Sequence, residues 1–224
     1  MRLPDYIINQ SHQEGIVMAT STAKPSKLLT PRFRVSFPSV FEKASYNNGT
    51  PRFSLVGLFF PEKFTDDEKT KWKAILAALN AVSIEAFKKP MKDLDRGVYK
   101  LPFHKGDEKT YEGYGDPAMR YCTMANSKRR PNILDLSGNA IGPENASEFY
   151  AGCWARASVN PYAFNNIGKG LALGLGNLQK LGDDKSFEGF TSAEDDFGSD
   201  DVSGDFSSDS DFDVGGADES DPTA

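Results

Sequence analysis

Apolar and polar residues first alternate at Phe33, Val35 and Phe37, which are set between Arg32, Arg34 and Ser36. A period of two is that of a half-buried strand, here with one apolar and one basic face. Asn48-Gly49 marks a turn, and "RFSLVGLFF" predicts a second strand paired with the first and ended by Pro61. The period then lengthens. Trp72, Ile75, Leu76, Leu79, Val82 and Ala86 recur at helical spacing, and Trp72 reads as a core anchor. Thr65 and Glu68 form a capping-box signature at the start of this helix. Lys88 and Lys89 suit its negative end, and Pro90 stops it.

From Met91 to Pro117 the chain mixes Gly, Asp, Lys and Tyr and reads as a loop. "AMRYCTMANSKRRPNILDLSG" predicts a strand, a basic turn and a short strand. "EFYAGCWARASVNPYAF" predicts another strand with a partial stop at Pro161. "GKGLALGLGNLQKL" is apolar and dotted with glycine, the pattern of a last strand that bends sharply or closes a barrel. About five strands with one helix between the second and third predict a mainly-β, OB-fold-like five-stranded barrel. Closure removes exposed sheet edges, and barrels of this size bind oligonucleotides on one face. The expected organisation is a loose N-terminal extension over 1–29, the barrel domain over 30–182, and a disordered acidic tail over 183–224.

Charge sharpens that division. The net charge is −6. From Asp183 to Ala224 there are 15 acidic residues against Lys185 alone, a net of −14. The rest of the chain holds 17 acids and 25 bases, a net of +8. A basic body joined to an acidic tail points to polyanion binding by the body. The tail has too few apolar residues to offset its chain entropy, which predicts disorder. Phe197, Phe206 and Phe212 nevertheless stand at intervals within it.

Other chemistry is sparse. Cys122 and Cys153 lie in apolar segments outside any Cys-x-x-Cys pair, and reduced, buried thiols are expected. His12 and His104 draw no zinc pattern, and no metal or other cofactor is predicted. "NIGKGLALGLG" fits neither the phosphate-loop nor the dinucleotide-binding register. No Gly-x-Ser-x-Gly is present, and no His stands near a nucleophile. Asp93, Asp95, Asp107, Glu108 and Asp116 are acidic enough for a metal-dependent nuclease, but they lie among lysines and read as solvated loop charges. No apolar stretch approaches the length of a membrane span, and the N-terminus lacks a signal-peptide layout. A soluble intracellular protein without a membrane partner is expected. Met18 opens a second plausible start, so the first 17 residues are a loose extension or an artefact of start-site assignment.

Bases and rings interleave. Trp154 and Arg156 share one strand face, Arg32 and Arg34 share another, and Lys128, Arg129 and Arg130 crowd one turn. Arg52 opens the second strand, and Tyr46, Tyr99, Tyr111, Tyr114, Tyr121 and Tyr162 lie near these bases in sequence. Single-stranded nucleic acid is held by this combination. Cations track the phosphates while rings stack on bases, at about 1–3 kcal/mol per base. The candidate contact set is Arg32, Arg34, Arg52, Lys128, Arg129, Arg130, Trp154 and Arg156, with Tyr121 and Tyr162.

Four stretches also carry a resemblance: "RFRVSFPSVFEKASYNNGTPRFSLVGLFFP", "YCTMANSKRRPNILD", "EFYAGCWARASVNPYAFNNIGKGLALGLGNLQKLGDD" and "SAEDDF". Over Thr30 to Phe197 the chain resembles the single-stranded DNA-binding proteins of tailed bacteriophages. "YAGCWARASVNPYAFNN" followed by "GLGNLQKL" is its most specific part. The resemblance implies an OB-fold, sequence-tolerant binding of single-stranded DNA, and a non-enzymatic role in phage replication, recombination or repair. The site would then be the cytoplasm of the infected bacterial host. The tail is expected to compete with DNA and to recruit replication or recombination proteins through Phe197, Phe206 and Phe212. The alternatives are a protein-interaction hub with weak DNA binding, and a metal-dependent nuclease. Monomer and homodimer both remain open.

Overall fold

The computed structural model describes residues 27–45, 49–166 and 168–187. Among the described residues nine strands form one sheet: β1 (Leu28–Leu29), β2 (Phe33–Ala44), β3 (Arg52–Phe59), β4 (Tyr99–Lys100), β5 (His104–Lys105), β6 (Arg120–Asn126), β7 (Ile133–Leu134), β8 (Trp154–Phe164) and β9 (Lys169–Gly182). Five of them close a ring. β2 pairs β3, β3 pairs β6, β6 pairs β9 in parallel, β9 pairs β8, and β8 returns to β2. The expected mainly-β five-stranded barrel with one helix is the observed fold, and the glycine-dotted last strand is the one that closes it. No described helix is long and apolar enough to cross a membrane.

Alternation along each strand fills the interior. Phe33, Val35, Leu55, Met124, Cys122, Ala155, Ala157, Leu171, Leu173 and Leu175 are buried in one core cluster. Both thiols are free and buried. Burial pushes both upward, that of Cys153 to about 11.

The helix α1 (Asp66–Phe87) begins with the expected capping box. Glu68 N donates to Thr65 Oγ1 at 3.3 Å, and Thr65 N donates to Glu68 Oε2 at 2.9 Å. Glu68 also accepts from Arg32 N at 3.2 Å, which ties the helix start to the entrance of β2. Ile75 and Leu79 are fully buried, and α1 packs on β1, β8 and β9. Ala86, expected on the apolar face, is exposed. Ser83 and Phe87 face inward in its place.

Several expectations need correction. Leu28 and Leu29 belong to the barrel: they pair with Val159 and Ser158, and Thr30 exchanges hydrogen bonds with Ala157. The stretch read as a loop contains β4 and β5. Pro161 does not interrupt β8. Beyond Val159 only β9 borders that strand, so a residue without an N–H is tolerated on the open side. Residues 183–187, assigned to the tail, lie ordered against the barrel. Tyr46 and the rest of the tail, including Phe197, Phe206 and Phe212, lie outside the described residues.

Candidate nucleic-acid interface

On the outer face of β2, β3 and β6, Ser36, Val56 and Thr123 stand abreast in the register of the two pairings. Tyr121 lies opposite Leu58 on the same face. Val56, Thr123 and Tyr121, with Ser54, floor a groove of about 270 Å³ whose walls include Phe37, Arg52, Lys109, Tyr111 and Tyr114. A chain of rings runs along it. Phe37 meets Tyr111 edge-on at 5.2 Å, Tyr111 meets Tyr114 at 5.7 Å, and Tyr114 meets Tyr121 at 5.5 Å. His104 stacks on Tyr121 at 5.1 Å and 19°. Tyr111 and Phe37 are 54% and 44% exposed, which leaves ring surface open for a flat, apolar ligand.

Phe37 reaches the groove through a backbone irregularity. Strict alternation places it with Phe33 and Val35 in the core. Instead the β2–β3 register shifts between Ser36 and Ser39, and Phe37 takes a φ of 46°. A bulge re-aims a side chain in this way. Left-handed backbone at a phenylalanine costs about 1–2 kcal/mol. The bulge therefore holds one ring outside against that cost. Phe37→Gly is expected to leave the melting temperature unchanged or raised, because glycine relieves the strain, while single-stranded DNA affinity falls severalfold. Thermal melting and oligonucleotide titration of the same variant check both halves.

Glu108 sits at the groove margin. The Lys105 amide, which donates to it at 3.1 Å, holds its carboxyl below the usual range, assisted by His104 at 3.2 Å. Burial, and then the charge of Glu108, push the Tyr121 hydroxyl upward. Tyr121 therefore stays a neutral donor at physiological pH.

The remaining predicted contacts fall elsewhere. Arg32, Arg34 and Trp154 form a second cluster. The guanidinium carbons of Arg32 and Arg34 lie 5.8 and 5.6 Å from the indole centroid, and Phe60 lies 6.1 Å from it. Together with Lys63, whose ammonium is 5.3 Å from the Phe60 ring, Arg32, Phe60 and Trp154 line a hollow of about 470 Å³. The donors of Arg34 are engaged within the chain: Nε bonds the Gly152 carbonyl, one amino group donates to Lys185 O at 2.6 Å, and the other meets Asp184 at 3.0 Å. Arg156 shares the half-buried face of β8 with Trp154, as expected, but its Nε donates to Gln179 Oε1 at 2.8 Å. Lys128, Arg129 and Arg130 are exposed on the turn after β6, with Asn126 Oδ1 accepting from the Lys128 and Arg129 amides. Tyr162 is 42% exposed on the far part of β8. Of the predicted set, only Arg52 and Tyr121 line the ring groove.

Phe37, Lys109, His104, Phe60 and Lys63 were not foreseen at either cluster. One signal for Phe37 was available: Pro38, inside a strand pattern, calls for a bulge. The loop carboxylates serve local structure. Asp95 accepts from the Gly97 amide, Asp116 from the Ala118 amide, and Glu108 from the Lys105 amide. Among the described residues no three acidic, His or Cys side chains converge on a point.

A closed five-stranded barrel with a ring-lined, cation-flanked groove across three neighbouring strands is the layout of an oligonucleotide-binding barrel. The chain belongs to the family described as "Enterobacter phage Enc34, ssDNA-binding protein", which matches residues 26–207. Its fold is similar to that of the single-stranded DNA-binding protein from bacteriophage Enc34 in complex with ssDNA, with a TM-score of 0.58 and 21% identity, covering 71% of this chain and 88% of that one. A second structure of the single-stranded DNA-binding protein from bacteriophage Enc34 gives a TM-score of 0.57 at 21% identity, covering 75% of this chain and 88% of that one. In sequence the chain is 26% identical over 161 residues to putative protein p50 of Acyrthosiphon pisum secondary endosymbiont phage 1, covering 70% of this chain and 83% of the relative.

Proposed function

We propose that this protein binds single-stranded DNA, without strong sequence preference, in the groove across β2, β3 and β6. The observation that carries this reading is the continuous ring chain Phe37–Tyr111–Tyr114–Tyr121–His104 flanked by Arg52 and Lys109. Rings accept any base, and cations accept any phosphate, so the grip is tolerant of sequence. The groove gives the bases of a single strand rings to stack on, which bases stacked inside a duplex cannot use. Family membership and the complexed Enc34 structure support the same ligand.

The biological role is protection of single-stranded DNA during phage replication, recombination and repair, in the cytoplasm of the infected host and without catalysis. The acidic tail beyond Glu188 recruits a partner protein and competes weakly for the cationic surface. Its Phe197, Phe206 and Phe212 each follow an aspartate, so each pair offers a carboxylate in place of a phosphate and a ring in place of a base. Covalent attachment to the same chain raises the effective concentration of these pairs at the cationic surface.

The test is a titration of labelled oligo-dT with the full chain, and with a chain ended after Glu188, at low and high salt. The slope of log affinity against log salt is expected near −3, on the basis of about four phosphate contacts at about 0.7 each. Ending the chain after Glu188 is expected to tighten binding at low salt. Absence of binding at low salt by the shortened chain overturns the proposal. Equal affinity of the two chains overturns only the competition.

A further inference from the structure

Residues 183–187 are a charged segment that the groove does not account for. They cross from β9 over the Arg34–Trp154 cluster to the loop over 106–117, and they are held at every step. Asp183 takes Lys180 Nζ at 2.6 Å and the Tyr150 hydroxyl at 3.0 Å. Asp184 takes Trp154 Nε1 at 2.8 Å and the Arg34 guanidinium at 3.0 Å. Lys185 reaches Glu112 at 3.2 Å. Phe187 N donates to Ala151 O at 2.9 Å, and the Phe187 ring lies 4.6 Å from the Arg34 guanidinium carbon.

Two body glycines are shaped to this strap. Gly152 has a φ of 112°, and a Cβ there would stand within 2.3 Å of Lys185 O. Gly113 has a φ of 82°, and a Cβ there would stand within 2.5 Å of the Phe187 ring. Both demand glycine twice over, by backbone conformation and by contact. A segment that visited the body only transiently would not need either.

Gly113 and Glu112 lie between Tyr111 and Tyr114, the two rings that the loop sends over the groove. We infer that the strap is a fixed brace: Phe187, clamped on Arg34, seats the loop at Gly113 and so sets the position of Tyr111 and Tyr114 in the groove. Asp184, Lys185 and Phe187 are then positioning residues for base stacking, and Arg34 and Trp154 serve the brace. The inference rests on the groove being the DNA site, and it opposes the reading of these five residues as a competitor for that site.

The experiment uses the full chain and its Phe187→Ala and Phe187→Tyr variants. Hydrogen exchange without DNA is expected to speed up at amides of residues 109–115 in Phe187→Ala, with barrel-strand amides unchanged. Oligo-dT affinity is expected to fall about tenfold with an unchanged salt slope, because stacking is lost and no cation is. Phe187→Tyr is expected to restore both. Unchanged exchange in the loop overturns the brace even if the parent chain fails to bind DNA, a failure that would instead count against the groove assignment. Unchanged affinity with a loosened loop overturns its effect on the rings. Tighter binding by Phe187→Ala makes the strap a competitor and overturns the inference.

Discussion

Replacing Tyr111, Tyr114 and Tyr121 together with alanine is expected to reduce single-stranded DNA affinity by at least about a hundredfold, at about 1–3 kcal/mol per stacked base. The three rings touch in series at 5.7 and 5.5 Å, so each holds the next at its angle. Single replacements will therefore not add, and Tyr121→Ala alone is expected to cost roughly fivefold to a hundredfold. Tyr121 has the largest single effect, because it is anchored on β6, stacks on His104 and meets Tyr114. Phenylalanine at all three positions keeps the ring faces and is expected to retain most of the affinity. The salt slope is expected to remain unchanged in the alanine variant, since every cation stays in place. Arg52→Ala gives the opposite signature, a modest loss with a slope shallower by about 0.7. Anisotropy titrations of labelled oligo-dT at several salt concentrations separate the two. A triple-alanine protein that melts normally and binds at parental affinity would remove the groove from consideration.

The two signatures also explain which parts of the protein were legible in its sequence. Helix α1 was legible because its signals are local: Thr65 and Glu68 three residues apart, and apolar residues at helical spacing up to Pro90. The barrel was legible because each strand repeats a period of two and β9 advertises closure through its glycines. The interface was legible only as an inventory of bases and rings. Which of them meet depends on non-local events. The loop over 106–117 folds back so that Tyr111 and Tyr114 reach Phe37 and Tyr121, and a bulge turns Phe37 out of the core pattern. The strap was hidden for a related reason. Its composition is that of the acidic tail it begins, whereas its order comes from Arg34, Trp154, Tyr150, Gly113 and Gly152, all distant in sequence. Arginines consequently looked interchangeable in the sequence. In the fold, Arg52 lines the groove, Arg34 is a brace clamp and Arg156 is paired with Gln179.

Trp72→Ala is expected to be the most damaging single change to stability among these residues, while leaving the groove chemically intact. Trp72 projects from the second turn of α1 into a cage of rings: Phe103 at 4.4 Å, Phe59 at 5.2 Å and Phe64 at 5.7 Å. Phe59 in turn contacts Phe33 at 5.2 Å and Phe103 at 6.0 Å, so the indole joins the helix to β2, β3 and the segment leading into β5. Trp72 is partly buried against the core, so its truncation is expected to cost about 3 kcal/mol, the low end of the range of about 3–5 kcal/mol for a core tryptophan. Against a typical total of about 5–15 kcal/mol, that is a large fraction of the stability. For a domain of this size it corresponds to a fall of roughly 10 °C in melting temperature. Trp72→Phe keeps a ring in the cage and is expected to lose less than half as much. At a temperature well below its transition, the alanine variant should still bind oligo-dT with the parental salt slope, because none of the groove residues touches Trp72 in the ring contacts of the fold. Thermal melting followed by circular dichroism, with DNA titration on the same sample, measures both. If affinity were lost while the melting temperature held, Trp72 would belong to the interface rather than to the core.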